Sequence, residues 1–401
     1  MNGPRFPPQV LLLVAVGAIT STVRWLELLA VGLFVFDRTG SAFLVASMTL
    51  LRMLPLAIFG AFAGALAERT RRTPVLRVTM AALAVLAAAL AVLAARDALA
   101  VWLMAVAAFA SGVFWAMDNA FRRTIISDMV PPARLASAIA LDVLANNGSR
   151  MVGPLLGGVL VQASGVTGAF ALAALLYLLC LALLLLVRHQ DEARRSHGGV
   201  LTRLAEGLRY LHGHRTLTGV MAVTVIYNVF GFPFLSMVPV IGREGLQLSA
   251  SAIGLLASIE GVGVLLGAVS LMLWLPERHY RRMYFYAVVL HQIAALLFAQ
   301  SAWVALCAAA LLSAGLAGAA FSAMQSTLVM LCAEPAARTR MMGVLSVCIG
   351  TGPVGFLHLG WLAEHLGAPW AVTVLALEGL LALWLTARAW PELLARQPAS
   401  A

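Results

Sequence analysis

The sequence predicts an all-α polytopic membrane protein with twelve transmembrane helices in two pseudo-symmetric six-helix bundles. Three observations lead there. Over 401 residues the chain is 62% hydrophobic and only 11% charged, with mean hydropathy +0.94, which excludes an ordinary soluble domain with about 25% charged residues. Cutting at charged or Pro/Gly-rich turns leaves about twelve apolar runs of roughly 20 residues or a little more, the length that crosses a bilayer. The second half also repeats the first. Leu-Ala-Glu-Arg-Thr-Arg-Arg after the second run, Leu66 to Arg72, returns after the eighth as Leu-Pro-Glu-Arg-His-Tyr-Arg-Arg, Leu275 to Arg282, and Glu68 and Glu277 are 209 positions apart. Pro131 to Arg134 before the fifth run and Pro335 to Arg338 before the eleventh make a second echo, each followed by Gly-Pro at Gly153-Pro154 and Gly352-Pro353. Such parallel repeats are related by an axis along the membrane normal.

The segment Met1 to Gln9 holds only Arg5 and several prolines, and the run 10–36 carries Arg24 and Glu27 without a convincing cleavage site. It reads as a retained first helix. Runs 41–66, 75–95, 99–121, 135–162 and 166–187 complete an N-terminal bundle, 1–187. Runs 216–241, 250–275, 283–300, 302–331, 341–363 and 369–387 make a C-terminal bundle with a short tail, 216–401. Between them lies a hydrophilic linker, 188–215, in which Leu201, Leu204, Leu208 and Leu211 recur at helical spacing opposite Arg203, Glu206 and Arg209. That pattern predicts a short amphipathic helix over 200–211.

The net charge of +10 would suggest nucleic acid in a soluble chain, but here the arginines sit in short loops and set orientation. Even-numbered turns hold Arg69, Arg71, Arg72, Arg77, Arg122, Arg123 and Arg134, then the linker arginines, then Arg278, Arg281, Arg282, Arg338 and Arg340. The opposite side holds Arg38, Arg96 and Arg243. Both termini are therefore expected in the cytoplasm, with the chain in an inner or plasma membrane and lipid, not nucleic acid, as its surroundings. There is no lysine, so no Walker-type nucleotide site exists in the chain. Cys180, Cys307, Cys332 and Cys348 lie in or at the ends of apolar runs without metal-ligand spacing. No HExxH, GxSxG or His/Cys cluster appears, so no enzyme, metal or cofactor is expected.

The turn after the second run resembles the signature of the major facilitator superfamily. Gly64, Leu66, Glu68, Arg69, Arg72 and Leu76 fall on that pattern, with Glu68 in place of the usual Asp and Arg71 in place of the usual Gly. The resemblance implies a cytoplasmic gate, in which Asp118 at the inner end of the fourth helix pairs with Arg72 beside Glu68, and Glu277, Arg278 and Arg281 are its pseudo-repeat. It also makes the eleventh helix the partner of the second, which Gly60 and Gly64 would let approach closely. Gly153, Pro154, Gly157 and Gly158 resemble the antiporter motif of the fifth helix, although Ser149 stands where a further glycine is expected. Together with Arg52-Met-Leu-Pro55, this tract is similar to the branch of enterobactin exporters and macrolide efflux proteins. Phe109 occupies the position of an arginine found in many drug/proton antiporters, which shifts the expected proton relay to other acids.

Charge inside a bilayer costs about 2.5 to 3.5 kcal/mol per residue even on the lenient insertion scale, so each charged residue should face a cavity or a partner. Arg24 and Glu27 share a helical face with Thr20 and Gly17, Arg52 sits at similar depth, and Asp142, Asn146, Ser149, Arg150 and Gly153 form a stripe on the fifth helix. These predict an ionic network in the N-terminal bundle built on Arg24, Arg52 and Arg150, with Glu27 and Asp142 as proton-coupling candidates. Glu260 is a third, with no obvious partner, while Glu378 and His291 are expected in support roles. Trp115, Asn146, Tyr227, Asn228, Ser322 and Gln325 are the cavity candidates for an amphipathic organic molecule.

The expected function is secondary export of a small amphipathic organic compound by alternating access, in exchange for protons, with the proton gradient as the only driving partner. Two rivals stand beside it: an importer or facilitator of an anionic substrate drawn by Arg24, Arg52 and Arg150, and a membrane receptor that binds without transport. A monomer suffices for this architecture. All-arginine basic content with Ala/Leu richness points to a GC-rich bacterial genome.

Overall fold

The computed structural model describes the backbone of residues 6–188, 200–274 and 279–395, and the side chains there except those of 59–69, 119–120, 132–133, 136, 200–203 and 273–274. Among the described residues all regular structure is helical. The first half holds α1 (Pro8–Thr39), α2 (Ala42–Arg69), α3 (Arg72–Ala95), α4 (Val101–Met129) and α5 (Pro132–Leu186). α5 covers two of the apolar runs, which are divided where its backbone leaves helical geometry at Ser164 and Gly165, the latter at φ +64°, a region that favours glycine. The linker forms α6 (Val200–Leu211), at the bounds its leucine spacing predicts.

In the second half the seventh run is α7 (Arg215–Ile226), a π turn (Tyr227–Gly231), a 3₁₀ turn (Phe232–Met237) and α8 (Val238–Glu244). Pro233 and Pro239 lie in this stretch; neither has an N–H to donate, and the altered turns accommodate the loss. The rest are α9 (Ala250–Trp274), α10 (Tyr280–Gln300), α11 (Val304–Cys332), α12 (Arg338–Ile349), α13 (Gly352–Leu366) and α14 (Ala368–Ala389). α12 and α13 together are the eleventh run, interrupted just before Pro353. All twelve runs thus fall on helices.

α1 and α3 pack along α5, and α2 along α4; in the second half α11 packs on α9 and α10, and α14 on α10 and α13. The halves meet along α5 with α9 and α2 with α13, so the eleventh span is the partner of the second, as expected. Gly360 of α13 lies against Phe43 and Ala46, and Gly350 against Ala57; the side chains of 60 and 64 lie outside the described residues. α6 docks on the C-terminal half. Gly207 sits beside Val344, and Arg340 bonds Glu206 at 3.2 Å.

One face of the bundle carries most of the loop arginines. The other carries Trp102, Trp303, Trp361 and Trp370, all more than half exposed at helix ends, the placement of an interfacial aromatic belt. At this arginine-poor face the halves are tied together. Arg243 of α8 holds Asp37 of α1 at 2.9 and 3.1 Å, Ser41 donates to Glu364 at 3.0 Å, and Ser251 donates to Gln162 through its hydroxyl at 2.6 Å and its backbone N–H at 3.0 Å. Among the described residues one further polar contact joins the halves, at mid-depth, and none lies nearer the arginine-rich face.

Candidate functional site

The polar stripe of α1 divides by depth. Nearest the arginine-rich face, Gly17 leaves room for the guanidinium of Arg122, which a Cβ there would strike. Thr20, one turn on, donates to Asp118 at 3.5 Å. Arg122 is fully buried and pairs with both Asp118 and Asp142, and Arg123 reaches Asp142 at 3.1 Å. Two acids and two guanidiniums close on one another there. This corrects two expectations. Asp118 belongs to this cluster, and the described partner of Arg72 is Asp128, nearly three turns further along α4. Arg122 and Arg123 are functional-looking residues that the sequence reading placed in a loop.

Further along α1 the two predicted neighbours part. Glu27 turns into the N-terminal half, where it accepts from Arg52 at 2.6 Å and from the Tyr177 hydroxyl at 3.4 Å, all three buried. Arg24 turns to the space between the halves instead. Its Nη2 donates to Asn146 at 3.4 Å, and its guanidinium lies 4.6 Å from the Trp115 ring and 5.3 Å from that of Trp25. The expected N-terminal network is therefore three separate groupings, and Arg150, through the Trp25 ring, touches only that of Arg24. It forms a salt bridge with Glu260 of α9, the mid-depth contact between the halves. Glu260, expected to lack a partner, has one supplied by the other half.

α5 and α9 can approach closely enough for that bridge because of the fifth-helix motif. Gly153 and Gly157 lie on the α1 backbone at Thr22 to Leu26, while Gly158 faces Gly254 of α9, and a Cβ on Gly254 would sit 2.6 Å from the Pro154 carbonyl. Four residues of one sequence motif thus set both an intra-half and an inter-half contact, by van der Waals approach of backbones.

Beside the bridge lies a cavity of about 240 Å³. Arg24, Trp25, Trp115 and Arg150 line it from the N-terminal half; Tyr227, Asn228, Ser322, Phe232 and Ile349 line it from the other, backed by the enclosed Phe321 and Phe356. Tyr227 stacks on Phe321 at 3.8 Å between centroids, and Asn228 Nδ2 donates to the Thr224 carbonyl at 2.8 Å. A narrower pocket beyond, towards the arginine-poor face, is bounded by Arg52, Arg150 and Glu260. Of the cavity candidates, Trp115, Tyr227, Asn228 and Ser322 are on the wall, Asn146 is reached through Arg24, and Gln325 lies one turn past Ser322, off the wall.

His291 is buried against the Ala314 carbonyl and the Tyr227 ring, a position inside the C-terminal half that its helix order did not suggest. Glu378 bonds His358 at 2.8 Å. Of the motif turns, Gly64, Glu68 and Arg69, as side chains, and Glu277 and Arg278 lie outside the described residues; Arg281 is described, half-buried, with its Nη2 4.0 Å from the sulfur of Cys332. Trp25 could have been found from sequence, since it adjoins Arg24. Arg122 could have been found from its i, i+4 spacing to Asp118.

A family model described as transmembrane secretion effector matches residues 9–395. The chain is similar to macrolide efflux protein A of Streptococcus pyogenes, 20% identical over 263 residues, 65% of this chain and 64% of that one. It is also similar to the staphyloferrin A transporter of Staphylococcus aureus, 18% identical over 249 residues, 62% of this chain and 63% of that one. It thus spans less than two thirds of the length of either relative. Among solved structures, a POT family transporter in complex with a thioalcohol-conjugated peptide superposes with TM-score 0.79 at 12% identity, over 97% of both chains.

Proposed function

This chain belongs to the transmembrane secretion effector family, of the major facilitator fold, and from that premise we propose that it exports a small amphipathic organic compound across a plasma membrane in exchange for protons. The observation that carries the reading is the distribution of contacts between the halves. Every polar contact described between them lies at mid-depth or nearer the arginine-poor face, with the cavity against them. By the positive-inside rule the arginine-rich face and both termini are cytoplasmic, so the cavity is positioned to load from the cytoplasm. Residues 1–187 and 216–401 are the two rocking bodies, joined by the linker 188–215. The similarity to a macrolide efflux protein supports export, and the similarity to a siderophore transporter supports a bulky organic cargo.

Of the three coupling candidates, Glu260 is favoured. Glu27 and Asp142 are enclosed within one half, each by its own arginine, whereas the Arg150–Glu260 bridge has to part when the halves separate at that depth. A proton on Glu260 weakens the bridge by removing its negative charge, which ties protonation to opening.

The experiment is flux in oriented proteoliposomes with an imposed pH gradient and a panel of amphipathic compounds. We expect substrate-dependent proton movement in the wild type and its loss in Glu260→Gln, with Glu27→Gln and Asp142→Asn retaining coupling in the protein that folds. Flux indifferent to the gradient would make the protein a facilitator; binding without any flux would make it a receptor.

A further inference from the structure

On the N-terminal wall of the cavity, hydrogen-bond donors outnumber acceptors. A guanidinium brings five N–H groups and no acceptor, and an indole one N–H and no acceptor. Arg24 has one described hydrogen-bond partner, the amide oxygen of Asn146, and no carboxylate among the described residues forms a salt bridge with it. Arg150 spends a terminal N–H on Glu260, while its Nε and the Trp25 Nε1 are buried without an acceptor. Glu260 is the sole carboxylate among the described residues lining this cavity and the pocket beyond, against three guanidiniums. Glu27 answers Arg52 from behind. One positive charge and several N–H groups remain unanswered.

The unanswered group is also held in place. The guanidiniums of Arg24 and Arg150 both lie over the Trp25 ring, at 5.3 and 4.8 Å, and Trp115 flanks Arg24 at 4.6 Å. Ring faces fix a guanidinium without using its N–H groups, so Arg24 is positioned and still free to donate. Across the cavity the partly exposed Phe232 and Ile349 offer apolar surface without charge.

Resting on the reading of this cavity as the transport site, we propose that the cargo is an organic anion: a carboxylate or similar oxyanion on a flat apolar body. Arg24 takes the oxygens through paired N–H groups, the geometry that suits a carboxylate, and the body lies against Phe232 and Ile349. The anion also competes with Glu260 for Arg150, so that loading loosens the bridge between the halves. A cationic cargo would instead meet the like charges of Arg24 and Arg150 on the cavity wall.

Three compounds sharing one ring system separate these cases: 2-naphthoate, 2-naphthamide and 2-naphthylmethylammonium, titrated calorimetrically into the full chain in lipid nanodiscs. Naphthoate should bind at least about tenfold tighter than the other two, a difference of about 1.4 kcal/mol. Arg24→Gln should weaken naphthoate at least about tenfold, and Arg24→Lys, which keeps the charge but not the fork, by less. Asn146→Asp, nearly isosteric, places a carboxylate beside Arg24 and should abolish naphthoate binding while thermal stability is kept. Equal or tighter binding of the ammonium or the amide, no naphthoate binding at millimolar concentration, or naphthoate binding unchanged in both Arg24→Gln and Asn146→Asp would overturn the proposal. Flux of the ammonium alone in proteoliposomes would keep the export reading and overturn the anion assignment. Arg24-dependent naphthoate binding with no flux of any of the three would keep the anion site and overturn the export reading.

Discussion

Arg52 and Glu260 occupy equivalent places in the two halves and make opposite use of them. Each sits on the second span of its half, 208 positions apart against a repeat of 209 at the motif turns. Each has its backbone carbonyl pressed on a glycine of the half's fourth span, Gly112 for Arg52 and Gly315 for Glu260. Arg52 turns inward to Glu27 and stays within its own half; Glu260 reaches across to Arg150 of the other. One position therefore braces a half, and its counterpart holds the two halves together. The surroundings follow the same division. The N-terminal half encloses its charges in compensated groups around Arg122 and Glu27, whereas the C-terminal half keeps few charges and has π and 3₁₀ turns beside the buried side-chain amide of Gln292, which has no hydrogen-bond partner among the described residues. A body with satisfied ion pairs moves as a unit. The interrupted helix is where shape can change.

The largest effect that could break this comparison is expected at the centre of the N-terminal cluster. Arg122→Met leaves Asp118 and Asp142 buried together without their shared cation, and should cost about 3 to 5 kcal/mol, read as reduced resistance to heat or denaturant in micelles. A loss below about 1 kcal/mol would show that the cluster does not brace the half.

Next is the pair of equivalent positions itself. Glu27→Gln strands the buried Arg52 and should be nearly as damaging, in the same range of about 3 to 5 kcal/mol. Glu260→Gln strands Arg150, which borders the cavity and keeps 18% of its side-chain surface, so its stability loss should be the smaller and its loss of coupled flux the larger. The reverse order in a parallel unfolding and flux series would invert the assignment of brace and bridge.

A smaller change sharpens the interface. Gly254→Val sets side-chain atoms against the Pro154 carbonyl and should cost about 1 to 3 kcal/mol by overpacking, felt as easier separation of the halves at the arginine-poor face. Faster thiol labelling at Ser251→Cys would register it, and an unchanged rate would place the close contact elsewhere. The smallest effect is expected at the exposed Arg38–Asp97 pair, where Asp97→Asn should alter stability by no more than about 1 kcal/mol.

Hydropathy made the spans legible, because a bilayer imposes length and apolarity on every crossing segment. The amphipathic α6 was legible for the same reason of spacing. What periodicity cannot carry is pairing between distant segments: Arg150 and Glu260 are 110 positions apart in different halves, and nothing local to either announces the other. The Arg122 cluster was hidden for a different reason. Ending a run at the first charge stopped the fourth helix at residue 121, although the helix continues to Met129, so a buried counterion read as a loop arginine. The same cut moved the expected partner of Arg72 from Asp128 to Asp118. Arg24 is visible as an intramembrane charge, but spacing puts it on one face with Glu27; about 60° of helical rotation between them sends one to the cavity and the other into the bundle.

The central claim is that cargo crosses because the arginine-poor face opens, and a reversible lock on that face tests it most directly. Gln162 and Ser251 touch across the two halves at 2.6 Å, so Gln162→Cys with Ser251→Cys, in a chain whose four native cysteines are replaced, can be joined by mild oxidation. The prediction is flux that disappears when the disulfide forms and returns when it is reduced. Undiminished flux through a fully cross-linked protein would contradict the account.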